Sequence, residues 1–522
     1  MQHGADRRRL KVGEARQRRL LQGHRVWLWL GCLVWLCSAV PVAQAGGMFV
    51  SPHGARPLGR GGAFVAGADD LNAIYYNPAG VALATTTGDA WLGAGKSGFS
   101  VLFDLGFVLQ NIEYTRNENG ILRPTITGDA GLMGGAPLSI PQLAIAKRLA
   151  PYSWGSLTLG LGLWIPYTGL MRYPEPSYAT EEDLRRVPEV APQRYALLGL
   201  HEGSLTRSTV LAVLNPVASF SLLKDRLQLG IGPQLMIVYF RSRLMLNGCP
   251  QVMCRPEQPD YDTLVVAQAF AVTPAFNLGA LYRVLPWLRL GAAFQFPFLV
   301  RSAKGTVDTL LGTNEIFNGA TVQGRDASLS LNLPPILRIG AEFAPLADRL
   351  RIELAYTVEF WSVQDEVRFT PNGITIENLK GIGSYPLGPV ALRRDMLTTH
   401  AIHLGGEAKL WKYLGARLGG MFESSGMPDS TLTVLTPDGH KGLVALSLFV
   451  PKVHFLSADW RIDVSYGHIF QGDRVVDPAA SQIYPANPLR PEATYPPGVG
   501  GTAAGTYAVR YDLIALGFAV TR

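Results

Sequence analysis

A beat of two runs through most of this chain, and it limits the fold more than any other feature. Leu157, Leu159, Leu161 and Leu163 alternate with Thr158, Gly160 and Gly162. In an extended strand successive side chains point to opposite faces, so the pattern reads as an amphipathic β-strand. The beat returns in the row Phe99, Val101, Phe103, Leu105, Phe107 and Leu109, and in Leu227, Leu229 and Ile231. It returns again in Leu337, Ile339, Ala341 and Phe343, in Ile352, Leu354 and Tyr356, in Ile462, Val464 and Tyr466, and in Ile514, Leu516, Phe518 and Val520. About fourteen such segments, each of about 9–12 residues, run from Phe99 to the C-terminus between Pro-, Gly-, Asn- and Asp-rich turns. The uncharged runs Tyr152–Met171 and Leu264–Tyr282 have the length of membrane helices, but their alternation marks them as strands. No strong amphipathic helix interrupts the series.

So many strands close either as a soluble sandwich or propeller, with apolar residues inward, or as a transmembrane barrel, with apolar residues outward. The partners of the aliphatic rows favour the barrel. Arg338, Glu342, Arg351, Glu353, Arg461 and Asp463 sit mid-strand opposite uniform aliphatic faces. A propeller predicts blade repeats, and none is visible. Trp287, Trp361, Trp411 and Trp460 sit at strand ends, where interfacial aromatic girdles are expected. The expected fold class is all-β, an antiparallel transmembrane barrel of about 14 strands.

The N-terminus agrees with export. A basic stretch ends at Arg25, an apolar core runs from Val26 to Val42, and Ala43-Gln44-Ala45 has the small-x-small form of a signal-peptidase site. Residues 1–45 are therefore expected to be a signal peptide, with an N-terminal anchor or a lipoprotein through Cys32 or Cys37 as alternatives. With a secretory signal, a barrel implies a bacterial outer membrane. The formal charge of +7 also resides in this leader, which carries +6. The remaining 39 basic and 38 acidic residues leave no surplus for a nucleic-acid face. After the leader only Cys249 and Cys254 remain. A C-x4-C pair without a second pair or nearby histidines is a poor zinc signature. In an exported chain it reads as a disulfide closing a surface loop, with two free thiols as the alternative.

Residues 46–90 break the strand rhythm and are rich in Gly and Ala. They hold Leu58-Gly59-Arg60-Gly61-Gly62-Ala63-Phe64, Ala68-Asp69-Asp70 and Tyr76-Asn77-Pro78-Ala79-Gly80. On these residues the chain resembles the FadL family of outer-membrane transporters for long-chain fatty acids and other hydrophobic compounds. Leu333-Pro334, Phe360-Trp361-Ser362, Pro428-Asp429, Thr436-Pro437-Asp438 and Gly505-Thr506-Tyr507 extend the likeness in order along the chain. One departure is the last residues, Phe518-Ala519-Val520-Thr521-Arg522, where such barrels usually finish on an aromatic.

The resemblance implies a fourteen-stranded barrel at 91–522 whose lumen is blocked by a hatch at 46–90. It also implies passive uptake of a fatty acid or aromatic hydrocarbon by a monomer in outer-membrane lipid, with no cofactor, no metal and no catalysis. Gly59, Arg60, Gly61, Asn77, Pro78 and Ala79 are then hatch residues. Small residues suit tight packing of backbone inside a barrel, and Asn77 can satisfy buried backbone groups. The bland reading of Asn77-Pro78-Ala79 is a surface turn.

Phe49 falls near the family's ligand pocket. Arg207 or Arg338 is a candidate cation for a ligand carboxylate, or else the partner in a structural ion pair. Pro166 and Gly169 are expected to kink the third strand, since proline has no N–H for the ladder and glycine permits a bulge. In the family a kink there opens the wall sideways into lipid; the alternative is a plain strand end. A general porin and a structural or adhesive barrel are the rival functions.

Other motifs carry little. Gly93-Ala94-Gly95-Lys96-Ser97-Gly98 resembles a nucleotide-binding loop, yet a strand follows where a helix is required, and Ala90 replaces the needed glycine. Neither H-E-x-x-H nor G-x-S-x-G occurs. His400 and His403, at a strand start, read as solvated rim residues.

Overall fold

The computed structural model describes residues 52–85, 98–118, 120–122, 125–132, 136–149, 152–167, 210–249, 259–346, 349–455, 458–483, 487, 489 and 503–522. The apolar beat becomes fourteen barrel strands. They begin with β1 (Phe99–Glu118), β2 (Ala136–Arg148), β3 (Ser156–Tyr167), β4 (Val210–Leu222), β5 (Leu227–Asn247) and β6 (Asp262–Leu285). Four strands follow in two pieces each. These are β7 (Leu288–Gln295 and Phe298–Leu310), β8 (Asp326–Leu333 and Ile336–Leu346), β9 (Leu350–Glu359 and Glu366–Pro371) and β10 (Val390–Arg393 and Thr399–Trp411). The series ends with β11 (Leu414–Glu423), β12 (Lys441–Phe455), β13 (Ala458–Gln471) and β14 (Gly505–Thr521). Prolines stand at two of the breaks, Pro297 in β7 and Pro334-Pro335 in β8, where a residue without an N–H cannot continue the ladder.

Each strand pairs antiparallel with the next. The wall closes where β14 pairs with β1, from Ser100–Thr521 to Arg116–Gly505. Closure satisfies the backbone groups that an open edge would leave bare in lipid. Side chains sort as the alternation requires. Leu159, Leu161 and Leu163 are 47%, 39% and 42% exposed on the outer face, while Thr158 is fully buried on the inner one. Tight turns such as Leu223–Arg226 and Lys412–Tyr413 gather at one end, and long connections such as 311–325 and 424–440 at the other. Short turns mark the periplasmic end of an outer-membrane barrel and long loops its outer end.

Every described residue from Pro52 to Thr85 is buried inside this wall, in short helical turns at Ala55–Gly59, Ala73–Tyr76 and Val81–Ala84. A 3-10 turn at Pro78–Gly80 starts with proline, and the Asn77 side chain accepts from the Ala79 N–H.

Two expectations are corrected. Trp287, Trp411 and Trp460 are exposed as a girdle demands, but Trp361 is fully buried and its Nε1 donates to Glu359 at 2.7 Å. It sits in a 3-10 turn that bends β9 inward, so the indole fills the lumen instead of the interface. His400 is exposed and hydrogen-bonded to the Tyr356 hydroxyl at 2.7 Å, whereas His403 is buried with its Nδ1 2.9 Å from the Gly61 carbonyl. Both belong to β10, but His403 takes the inward parity and meets the hatch.

Candidate functional site: the plugged lumen

The hatch meets the wall through two chemically different faces. Toward β7–β13 the contact is ionic. Arg60 Nη2 lies 3.0 Å from Glu342 and 2.8 Å from Glu353. Glu353 also accepts from the backbone N–H groups of Val65, Ala66 and Gly67 at 2.7, 2.8 and 2.9 Å. Arg56 bridges Asp69 at 2.6 Å and Glu407 at 2.8 Å. Arg289, Arg351, Arg417 and Arg461 from the wall complete the cluster. Among the described residues it balances: six guanidiniums (Arg56, Arg60, Arg289, Arg351, Arg417, Arg461) face six carboxylates (Asp69, Asp70, Glu342, Glu353, Glu407, Asp463). Burying any one of these alone is costly, so the geometry holds only when all are present.

Toward β4–β6 the contact is uncharged. Asn77 Nδ2 donates to Val65 O at 3.0 Å and to Ala280 O at 3.1 Å, tying the hatch to itself and to β6. Asn277 donates to Ile74 O at 3.0 Å, and Ser219 Oγ to Ala79 O at 2.7 Å. Close approach needs glycine on the facing wall. A Cβ on Gly279 of β6 would stand 2.1 Å from Asn77 Oδ1, and on the ionic side one on Gly419 of β11 would stand 2.1 Å from the Arg60 carbonyl carbon. Gly61 itself has φ +60, a conformation that glycine adopts without strain. Asn77→Ala strands the Val65 and Ala280 carbonyls and should cost hatch docking about 2–3 kcal/mol. Amide hydrogen exchange at Val65–Ala79 should speed accordingly, while exchange in the β1–β14 seam stays unchanged.

At the outer edge of the hatch lies an aromatic group. Tyr75 meets His53 and Trp164 edge-on, at ring distances of 5.4 and 5.8 Å. Arg338 lies over Tyr75 at 4.7 Å and Tyr76 at 5.8 Å. The ion-pair reading of Arg338 is corrected here: it is buried and makes no ion pair among the described residues, and its cation rests on the π faces instead. His53 hydrogen-bonds the Pro166 backbone carbonyl, and burial lowers its pKa to about 4, so the imidazole is neutral. A second buried arginine, Arg394, also lacks an ion pair among the described residues and has Thr436 Oγ1 at 3.4 Å.

The wall is irregular beside this group. Pairing of β2 with β3 runs from Arg148–Thr158 to Leu143–Leu163 and no further among the described residues. On the other side Trp164 pairs with Val213 but Tyr167 with Leu211, so Ile165 and Pro166 bulge opposite Ala212 alone. Phe49, Arg207, Gly169 and Cys254 lie outside the described residues, as do residues 86–90 of the expected hatch. Cys249 is disulfide-bonded and fully buried beside Asn487, which donates to its carbonyl at 2.8 Å.

Sequence reasoning missed a cavity in the outer half of the lumen. Its empty space is about 620 Å³, part of it open to solvent. Leu246, Val265, Val307, Phe317, Phe369 and Ile376 line it, with hardly a polar atom exposed. Of these six, Leu246, Val265, Val307 and Phe369 come from barrel strands, and Phe317 and Ile376 come from outer loops folded back over them. The inward apolar residues of the upper strands were a signal, because a water-filled pore has no use for them.

A family of outer membrane transport proteins (OMPP1/FadL/TodX) matches residues 196–495. The chain belongs to this family. No curated protein sequence matches it. Among solved structures, a Pseudomonas aeruginosa FadL homologue superimposes with a TM-score of 0.63 at 16% identity, covering 91% of this chain and 99% of that one. The Pseudomonas putida toluene transporter TodX gives 0.54 at 15%, covering 92% and 99%. The Ralstonia pickettii toluene transporter TbuX gives 0.53 at 14%, covering 90% and 98%. As a member of the OMPP1/FadL/TodX family, the protein is an outer-membrane barrel that transports hydrophobic compounds.

Proposed function

We propose that the protein takes up elongated hydrophobic carboxylates such as long-chain fatty acids, holds them above the hatch, and releases them sideways into the outer membrane. The observation that carries this reading is Arg338, a buried guanidinium with no carboxylate paired to it among the described residues. Such a cation suits an anionic ligand head, because a carboxylate entering a dry site needs a charged donor. Arg394 repeats the arrangement nearer the outer loops, and the apolar cavity suits the tail. An aromatic hydrocarbon offers such a cation only its π face, a weaker partner than a carboxylate.

The remaining assignments follow the same reading. Residues 1–45 are a signal peptide, residues 46–90 form the hatch, and Phe49 closes the ligand pocket of a monomeric barrel. Gly59, Arg60, Gly61, Asn77, Pro78 and Ala79 keep the hatch seated against direct leakage. The bulge at Pro166 is the sideways exit, and His53 couples it to the hatch.

Binding of a long-chain fatty acid and of the alkane of equal length tests the substrate. The parent should prefer the acid, and Arg338→Met should lose about tenfold or more of acid affinity with alkane affinity retained. Arg207→Ala, made in parallel, reports on the other candidate cation. Equal acid affinity in the parent and in Arg338→Met overturns the carboxylate reading while leaving hydrocarbon transport standing.

A further inference from the structure

The turn between β4 and β5 is built at some conformational cost. Leu223, Lys224 and Asp225 have φ of 50, 55 and 60, three consecutive left-handed residues without a glycine. Such conformations persist only when neighbours over-determine them. Asp225 supplies that hold: its carboxylate accepts from Arg148 at 3.3 Å and from Ser221 at 2.5 Å, and its carbonyl accepts from Gln228 at 3.0 Å. The acid of the turn is thereby engaged inward, and Lys224 and Arg226 project into solvent without an ion pair among the described residues. Arg283 on β6 is tied alongside, its N–H donating to the Arg226 carbonyl at 2.9 Å. Lys147 is exposed on β2 nearby.

Aromatic and apolar surface adjoins these cations. Tyr152 and Trp154 stack at 5.1 Å with nearly parallel rings, both about half exposed, and Leu223 is 62% exposed at the tip. At the outer end some exposed cations are paired, while Arg301 and Arg510 have no ion pair among the described residues. There Lys380 pairs with Glu315, Arg368 with Glu366 and Arg393 with Asp395. What sets the periplasmic end of β2–β6 apart is that its exposed, unpaired cations stand on a turn held by three side-chain contacts, next to a stacked aromatic pair.

We propose that this cluster binds the headgroup of an anionic phospholipid in the periplasmic leaflet. Lys224 and Arg226 take the phosphodiester, Lys147 adds to the local potential, and Tyr152, Trp154 and Leu223 lie against the glycerol and upper acyl carbons. The chemistry fits in each part. A guanidinium matches phosphate oxygens in a bidentate fork, and aromatic rings settle at the headgroup level. A strained turn held by three side-chain contacts keeps the two cations in one place rather than on a free loop.

The experiment uses the mature protein in phosphatidylcholine vesicles with traces of spin-labelled phosphatidylglycerol or spin-labelled phosphatidylcholine, read by electron paramagnetic resonance. The parent should favour phosphatidylglycerol. A basic residue near an anionic surface contributes roughly a fivefold factor, so Lys224→Glu with Arg226→Glu should bring the two lipids to parity. Lys224→Gln with Arg226→Gln gives the same reading should charge reversal hinder folding, which heat-modifiable migration in gels reports. Lys409→Glu with Lys412→Glu, at the β10–β11 turn, should leave the preference intact.

Four results overturn the proposal. One is a parent without preference, and another is a preference that survives the 224/226 variants. The third is equal loss in the 409/412 variant, which would mean diffuse attraction with no built site. Inorganic phosphate should displace no more labelled lipid than chloride at equal ionic strength; specific displacement by phosphate would assign the cluster to the free anion and overturn the lipid assignment.

Discussion

Arg60→Leu should leave the barrel folded and unseat the hatch. The substitution removes the bonds to Glu342 and Glu353, both fully buried; Glu342 keeps Arg289 at 2.6 Å, but Glu353 is left with no cation paired to it among the described residues. Breaking one partner out of a buried ionic group costs about 3–5 kcal/mol. The wall is spared, because its stability rests on a closed ladder that Arg60 does not join. Heat-modifiable migration should therefore be unchanged, while protease reaches residues 52–85 and planar-bilayer recordings show steady ionic current. Arg60→Lys should fall between, since an ammonium supplies charge but not the guanidinium fork. A silent bilayer trace together with parental protease resistance in Arg60→Leu would sink the idea that this cluster seats the hatch.

Uptake should fall toward the background of cells lacking the protein when Pro166→Val is combined with Gly169→Val. Among the described residues, the bulge of Ile165 and Pro166 opposite Ala212 and the end of β2–β3 pairing at Leu143–Leu163 interrupt the ladder here. Valine restores an N–H at position 166 and favours regular strand at both positions. The carbonyl that accepts from His53 is retained, so the variant tests the wall and not the hatch contact. Ligand binding and surface expression should stay near parental values. Parental uptake in a variant whose strand is shown to be straight rules out sideways exit at this site.

The barrel was legible because alternation is a local signal. Leu157–Leu163 and Ile352–Tyr356 announce which face meets lipid without reference to any neighbour, and the structure gives both their expected exposure. The mid-strand charges Arg338, Glu342, Arg351, Glu353, Arg461 and Asp463 were likewise readable as lumen residues. Their partners were not. Arg60 and Glu353 are 293 residues apart in sequence, and no local pattern encodes which inward carboxylate meets which hatch cation. Trp361 and His403 failed for a related reason. A strand-end position predicts an interface only when the strand runs straight, and here a 3-10 turn bends β9 inward and the hatch reaches β10.

Sequence alone thus determined the strand rhythm, the lipid-facing rows, the family likeness around Asn77-Pro78-Ala79 and the inward direction of the charged residues, because each depends on residues near one another in the chain. Only the tertiary structure decided that six ion-paired cations meet six ion-paired anions between hatch and wall among the described residues, that Arg338 rests on tyrosines instead of a carboxylate, and that outer loops enclose an apolar cavity. Those outcomes depend on barrel closure, which brings distant inward faces together around a buried segment and makes charge pairing and packing a property of the whole ring.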